Sequence, residues 1–553
     1  MRDARKLLRR IGPDLAVLGL FGAFTLAIFG RPVLADPTGA CLCAPYSADP
    51  SIYMWSMEWW RHALADGLNP LYTHVIWTPS GVSLAWATTV PTAALLGFPF
   101  VATAGPVAAY NVLMLSAPVL AAYAAYRLCL HVTRVFWPSV AGAYVFGFST
   151  YMLGHLLGHL NLVSVWSIPF EVLLVLLHVE RRISRARFLL LIVPLGLVQF
   201  GFSTELFATT VAFGAFALVV GYLGGGRDVR ARIRRAAASL VVAGGVVAVL
   251  VSPYLFYVLN DRPGKPLGSR TATAVDVANV VVPSSLTAAR VPSLADRVTR
   301  NESETVGYVG LPLLAIVMLF FVRERRRTRG LVIFATFALA LAASLGPWFW
   351  FAGTKTGIPN PLGAYGFLPI VGHALPARFV LYAFLAAALA LALWLARPGA
   401  SVGPRWLLAA AAVGALFPNP THHWFNRDVP DPPFFRGEYA DALRPGENVV
   451  VLPYGERGFS MLWQARAHMD FRMAGGYVGP LIPRSFERYP VVHWFETDDP
   501  PAYAGPLLRR FLREKRVAAV IAGPGTAPVW QPILRRLDPS PETVGGVQIF
   551  DAS

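Results

Sequence analysis

Apolar residues along most of this chain fall into runs of about twenty, parted by short arginine-rich segments. A helix of that length crosses the hydrocarbon core of a bilayer, so the runs predict membrane spans. They extend over Leu15–Leu34, Val107–Leu130, Pro138–Leu157, Leu160–Val179, Phe188–Phe202, Leu206–Leu223, Ala237–Val258, Val309–Val322, Leu331–Leu345, Phe379–Leu395 and a short last run, Trp406–Phe417, which together give ten or eleven crossings. The moderately apolar segment Leu84–Thr103 reads as half-embedded or horizontal, since counting it as a span would put Arg127 and Arg134 outside.

Charge sets the orientation. Cytoplasmic connections collect Lys and Arg. Three basic clusters fall on the same side of the count: Arg181, Arg182, Arg185 and Arg187; Arg227 to Arg235; and Arg323 to Arg329. Arg2, Arg5, Lys6, Arg9 and Arg10 precede the first run and put the N-terminus inside. A cleaved signal ending at Val33-Leu34-Ala35 is the competing reading, but the spans that follow call for an uncleaved first helix. The chain has 553 residues, 55% of them hydrophobic and 14% charged, with a net charge of +17. In a multi-span protein that excess of basic residues is topological, and it implies no nucleic-acid partner. Three cysteines make no disulfide framework.

Outer loops join spans over Asn260–Tyr308 and Pro347–Pro376, and two further regions outside the spans have patterns of their own. An outer loop over residues 36–106 holds Tyr53-Met54-Trp55 and Trp59-Trp60-Arg61-His62, the pattern of an amphipathic helix in the headgroup region with Glu58, Arg61, His62 and Asp66 on its wet face. From Pro418 the composition turns mixed: Asn448–Leu452 and Val517–Ile521 are β-branched runs, and Leu507–Lys515 reads as a helix. The fold expected is a polytopic α-helical membrane domain, residues 1–417, followed by a soluble extracytoplasmic α/β domain, residues 418–553.

Ionisable residues at membrane depth, or gathered at one end of a bundle, are costly and so are candidates for function. Asp49, in Ser47-Ala48-Asp49-Pro50, follows the first span, where a carboxylate can accept a proton from a hydroxyl, hold a metal, or simply cap the next helix. His155 and His159 sit four apart near the outer end of a span, spacing that suits hydrogen bonds to a phosphate or sugar, or two ligands to one metal. Gly154 and Gly158 share that spacing and suit close helix packing. Glu205 marks the outer end of an apolar run, and Arg378 opens one from the outer side, where positive charge calls for a negative partner such as a lipid phosphate. A Gly-Lys-Ser or Gly-Lys-Thr phosphate loop is absent, which leaves an ATP-driven pump unsupported. Carboxylates within spans are scarce, Glu171 being the main one, which disfavours a proton-coupled transporter.

One span, an outer loop opening with Asp49-Pro50 ahead of Trp55, then Pro79-Ser80-Gly81, Gly105-Pro106, Gly158-His159-Leu160-Asn161-Leu162, Pro376-Ala377-Arg378-Phe379 and Val450-Val451-Leu452-Pro453, in that order, resemble the GT-C superfamily of membrane glycosyltransferases and its bacterial relatives. The resemblance implies transfer of a sugar from a polyprenyl-phosphate carrier to an envelope glycan, lipid or protein acceptor at the outer face of the bacterial plasma membrane. Asp49 matches the first-loop acidic residue of that family and would be the catalytic base. Many members carry a paired acidic motif there, whereas Pro50 follows Asp49 in this chain; a divalent cation is therefore left open. Topology suggests Arg378 for the carrier phosphate, with His155, His159 and Glu205 beside the substrate. The rival from another class is a non-enzymatic translocase or assembly factor for lipid-linked envelope glycans, which would not need Asp49.

Overall fold

A computed structural model describes residues 2–45, 47–261, 268–363, 365–367, 371–399, 402–437, 442–479 and 482–552, with side chains from residue 11 onward. The basic N-terminal side chains thus lie outside the described residues. Among the described residues, seven helices are long and apolar enough to cross a membrane: Ile11–Phe29, Pro91–Thr133, Leu160–Val179, Arg185–Phe202, Thr204–Gly224, Arg227–Leu250 and Pro376–Leu395. Thr328–Ser344 and Val402–Ala415 are shorter apolar helices. The chain is a multi-pass membrane protein with a C-terminal region built on a sheet.

One expected run is interrupted, and the break at Gly105 falls between the segment Leu84–Thr103 and the expected span Val107–Leu130. The run Pro138–Leu157 divides into helices Phe136–Gly147 and Thr150–His155, because Ser149 leaves the helical region and its Oγ caps the second helix by accepting from Met152 N at 3.3 Å. Pro91–Thr133 is broken at Gly105, whose φ of +82° suits glycine, followed by Pro106, which has no N–H to give.

The chain forms two compact units. The first comprises residues 1–31, 114–250 and 268–424. Its centre is the helix Val380–Leu395, whose Ala-rich sequence leaves almost every side chain buried. Small residues let neighbouring backbones approach where lipid gives no hydrophobic drive between helices. The Gly142 Cα on Phe136–Gly147 passes so near this helix that an added Cβ would meet Ala388 O at 2.8 Å. A two-stranded hairpin, β3 (Trp348–Phe351) with β4 (Thr354–Pro359), also belongs to this unit.

The second unit comprises residues 32–113, 251–267 and 425–553. It contains a small hairpin, β1 (Tyr72–Thr73) with β2 (Val82–Ser83), and a five-stranded sheet of β5 (Asn448–Leu452), β6 (Arg472–Met473), β7 (Ala519–Ala522), β8 (Glu542–Val544) and β9 (Val547–Asp551) in the order β6-β5-β7-β9-β8. β5 runs parallel to β6 on one side and to β7 on the other; β9 is antiparallel to β7 and β8. The β-branched runs Val449–Val451 and Val520–Ile521 are buried, as suits central strands.

The helix Asp49–Ala65 differs from the sequence expectation. Trp55 and Trp59 are 0% and 1% exposed and join the hydrophobic core of the sheet, with Trp55 Nε1 donating to Gln464 Oε1 at 2.7 Å. The aromatic face is therefore a protein contact, not a lipid one. Glu58, expected on the wet face, is 1% exposed and is held by Arg61 and by His468 Nδ1 at 2.9 Å. Hydrophobic patterning reports that a face is apolar; what covers it is settled by tertiary packing.

Candidate functional site

Arg378 sits in the single 3₁₀ turn Pro376–Phe379, ahead of the central helix. Its guanidinium faces two carboxylates. Nη1 bonds Glu205, while Nη2 and Nε donate to Glu304 Oε1 and Oε2 at 2.6 and 3.2 Å, the paired geometry that suits a carboxylate. Ser203 caps the helix that begins at Thr204 by accepting from Leu206 N at 3.2 Å, which fixes Glu205 in its first turn. Leu375 N donates to Glu205 Oε1 at 3.3 Å. Glu304 comes from a loop folded around Asn301, whose Oδ1 accepts from Ser303 N and Glu304 N at 2.9 and 3.0 Å.

The histidines complete the cluster. His155 ends the helix Thr150–His155, and its Nδ1 lies 3.3 Å from His159 Nδ1. His159 Nε2 lies 3.7 Å from Glu304 Oε1. The loop carrying Glu304 rests on Gly154, where a Cβ would meet Glu302 O at 2.9 Å; glycine there allows the close approach.

Side-chain exposures of 15%, 22% and 13% for Arg378, Glu205 and Glu304 leave the group largely desolvated, so its charges must neutralise one another. Burial alone would push the Glu304 carboxyl up, but the Arg378 guanidinium, then the His159 and His155 rings, hold it down at about 2. One guanidinium faces two carboxylates, and the remaining negative charge lies beside the imidazoles. Ligand atoms of His155, His159 and Glu304 all lie within 4.8 Å of one another. Two imidazoles and a carboxylate suit a divalent cation of the zinc type. Such an ion would compete with Arg378 for Glu304.

Asp49 belongs to the second unit. It opens the helix Asp49–Ala65 with Pro50 behind it, and its Oδ1 accepts from the Tyr477 hydroxyl at 3.0 Å. Tyr477 is half-buried in the loop after β6. Its phenol is pushed far up by burial and by the Asp49 charge, so it stays a protonated donor.

Four of the five residues singled out in the sequence, His155, His159, Glu205 and Arg378, come together in one unit. Glu304 and Tyr477 were missed. Glu304 lies in Asn301-Glu302-Ser303-Glu304, an acidic pair in a predicted outer loop of a basic chain, which was the available signal. For Tyr477 the only hint is its flanking glycines in Gly475-Gly476-Tyr477-Val478-Gly479.

The fold is similar to that of solved membrane glycosyltransferase structures. The structure of the arabinofuranosyltransferase AftD from Mycobacteria matches with a TM-score of 0.59 at 15% identity, covering 97% of this chain and 40% of AftD. A mutant form of AftD gives 0.53 at 14% identity, with 97% and 41% covered. The oligosaccharyltransferase AglB from Archaeoglobus fulgidus, with an inhibitory peptide and a dolichol-phosphate, gives 0.48 at 12% identity, with 93% and 70% covered. This chain thus spans about two fifths of the length of AftD. Residues 16–415 match DUF6311, a domain of unknown function, and the chain belongs to that family. No curated protein matches the sequence.

Proposed function

We propose that this protein is a membrane glycosyltransferase that moves a sugar from a polyprenyl-phosphate carrier to an envelope glycan, lipid or protein acceptor at the outer face of a bacterial plasma membrane. The observation that carries this reading is Asp49, the acidic residue of the first loop in a GT-C fold, oriented by the Tyr477 hydroxyl at 3.0 Å.

In this reading Asp49 takes the proton of the acceptor hydroxyl as its oxygen bonds to the anomeric carbon of the donor sugar. The bond from that carbon to the phosphate oxygen breaks, and polyprenyl phosphate leaves with the electron pair. Within the first unit, Arg378 is the candidate cation for a carrier phosphate. With no carrier bound, Glu205 and Glu304 satisfy its charge; the phosphate takes the place of one carboxylate. His155 and His159 then serve as hydrogen-bond partners to phosphate or sugar. Where a divalent cation takes part, His155, His159 and Glu304 hold it, and it supplies further positive charge to the leaving phosphate.

Release of polyprenyl phosphate by the purified protein in lipid, with and without a pooled envelope acceptor, tests the reading. Acceptor-dependent release supports a transferase. Failure to turn over any donor in a panel that a known enzyme of this fold uses would favour the translocase.

A further inference from the structure

Within the first unit, the helix Thr328–Ser344 and the central helix run between the same two levels. At one end the Glu324 carboxylate pairs with Arg329, in the first turn of Thr328–Ser344, at 2.9 Å, and with Arg397, just past the end of the central helix. At the other end Val275 N donates to Ser344 O at 2.9 Å and Ala377 N donates to Thr273 O at 3.2 Å, so one short segment joins the end of the first helix to the Arg378 turn. A helix of 17 residues is about 25 Å long. With the few residues that follow it, that length matches a hydrocarbon core of about 30 Å. The hairpin of β3 and β4 opens at Trp348, directly after this helix and its short connection, and so stands at the level of the headgroups, on the side away from the arginines.

The hairpin is held firmly from within. Asp276, fully buried, accepts from both amides of the turn, Ala352 N at 3.0 Å and Gly353 N at 2.8 Å. Those two residues have φ of +49° and +83°, as a two-residue hairpin turn requires. Trp350 Nε1 donates to Thr271 O at 3.0 Å, and the Arg300 guanidinium lies 3.7 Å from the centre of the Trp350 ring.

The apolar residues left over have no such cover. Phe351, Ile358, Leu362 and Phe367, on the hairpin and the turns that follow, are 59%, 61%, 52% and 82% exposed. So many large apolar side chains on a short, fixed segment mark an interaction surface. Its charges point to the partner. Lys355 Nζ stands 5.0 Å from the centre of the Trp348 ring, and Arg297, whose main-chain oxygen packs against Gly353, is a second exposed cation, with Asp296 the exposed acid beside it. Aromatic rings with cations at their rim suit the layer where phosphates meet hydrocarbon.

We infer that this hairpin and the turns after it lie in the phospholipid headgroup layer, where Phe351, Ile358, Leu362 and Phe367 enter the lipid while Lys355 and Arg297 meet the phosphates. The hairpin is then an interfacial anchor for the end of the bundle that carries Arg378. The inference does not depend on Asp49 or on sugar transfer.

The test places a nitroxide spin label on the full-length protein in phospholipid nanodiscs, at Phe351→Cys and, separately, at Ile358→Cys; the native cysteines Cys41, Cys43 and Cys129 are buried and out of reach of the reagent. Collision rates with oxygen, which concentrates in lipid, and with a nickel chelate, which stays in water, report depth. Val241→Cys, 76% exposed in the span Arg227–Leu250, is the deep reference, and Glu542→Cys, exposed on β8, is the aqueous one. At both hairpin positions the ratio of oxygen to nickel collisions should fall between the two references. A ratio equal to that of Glu542→Cys would put the hairpin in water, and slow collision with both reagents would put it against protein, a second copy included; either result would overturn the inference.

Discussion

Arg378 grips Glu304 through two parallel hydrogen bonds, Nη2 to Oε1 at 2.6 Å and Nε to Oε2 at 3.2 Å, while its other arm holds Glu205. The three side chains tie the Thr204–Gly224 helix, the 301–305 loop and the central helix of the bundle together. A guanidinium lies between two desolvated carboxylates, with His159 also beside Glu304, so its loss removes the one permanent charge that both carboxylates share.

Arg378→Met is expected to destabilise the protein by about 3–5 kcal/mol, the cost of breaking a buried pair on one side only. Adding Glu205→Gln and Glu304→Gln to it should restore much of that loss, because the buried charge goes with its partner. Thermal unfolding in matched detergent checks both; equal stability of Arg378→Met and wild type would mean that water screens the cluster.

The contact between Glu58 and His468 gives a pH prediction with a definite sign. Burial raises Glu58, but hydrogen bonds from His468 and Arg61 bring its carboxyl below the ordinary range; the bond to Glu58 raises the His468 imidazole despite partial burial. A group raised on folding stabilises fully below its ordinary value, near 6.5 here, and loses that contribution as pH rises through the raised value. Stability of the second unit should therefore fall slightly as pH rises above the ordinary imidazole value. His468 is 69% exposed, so the effect is under about 1 kcal/mol. Hydrogen exchange of the Asp49–Ala65 helix in wild type and His468→Gln checks it, and an equal pH response in both would contradict it.

Gly154→Ala tests the seating of the Glu304 loop. The added methyl lies 2.9 Å from Glu302 O, a main-chain atom that cannot swing aside. Overpacking of this kind costs about 1–3 kcal/mol. The variant should be less stable than wild type and should have a raised KM for the lipid-linked donor, while Gly214→Ala, at an open position, should change neither.

Chelation separates the two readings of the histidine pair. If His155, His159 and Glu304 hold an ion, metal analysis of protein dialysed against zinc should show one ion per chain, reduced in His155→Ala and His159→Ala. Equal metal content in all three proteins would leave the histidines as hydrogen-bond donors to phosphate or sugar.

The sequence made some of this readable and hid the rest for physical reasons. Arg378 stood out because a cation at the outer end of a span needs a counter-charge, and Glu205 because a carboxylate at the head of an apolar run is rare. The counter-charge that pairs with both nitrogens of that fork, Glu304, lies 74 residues away in a loop, and loop closure leaves no periodic trace. The strand Asn448–Leu452 was readable from its β-branched run and has the same bounds in the structure. The interruption at Ser149 was not, since averaging over a window blurs one capping residue between two apolar helices. The burial of Trp55 and Glu58 was hidden too: their partners, Gln464 and His468, are about 410 residues distant, and pattern along a helix cannot name a distant partner.

The most direct test of the central claim is sugar transfer from radiolabelled polyprenyl-phosphate hexoses and pentoses by purified protein in lipid, comparing wild type with Asp49→Asn at matched folding and thermal stability. Label should move to acceptor with wild type and fall by at least a hundredfold with Asp49→Asn, the loss of general-base assistance being worth about 10²–10⁴ in rate. Equal transfer by the two proteins would contradict the assignment of Asp49 as the base, and no transfer by wild type from any donor would contradict the glycosyltransferase itself.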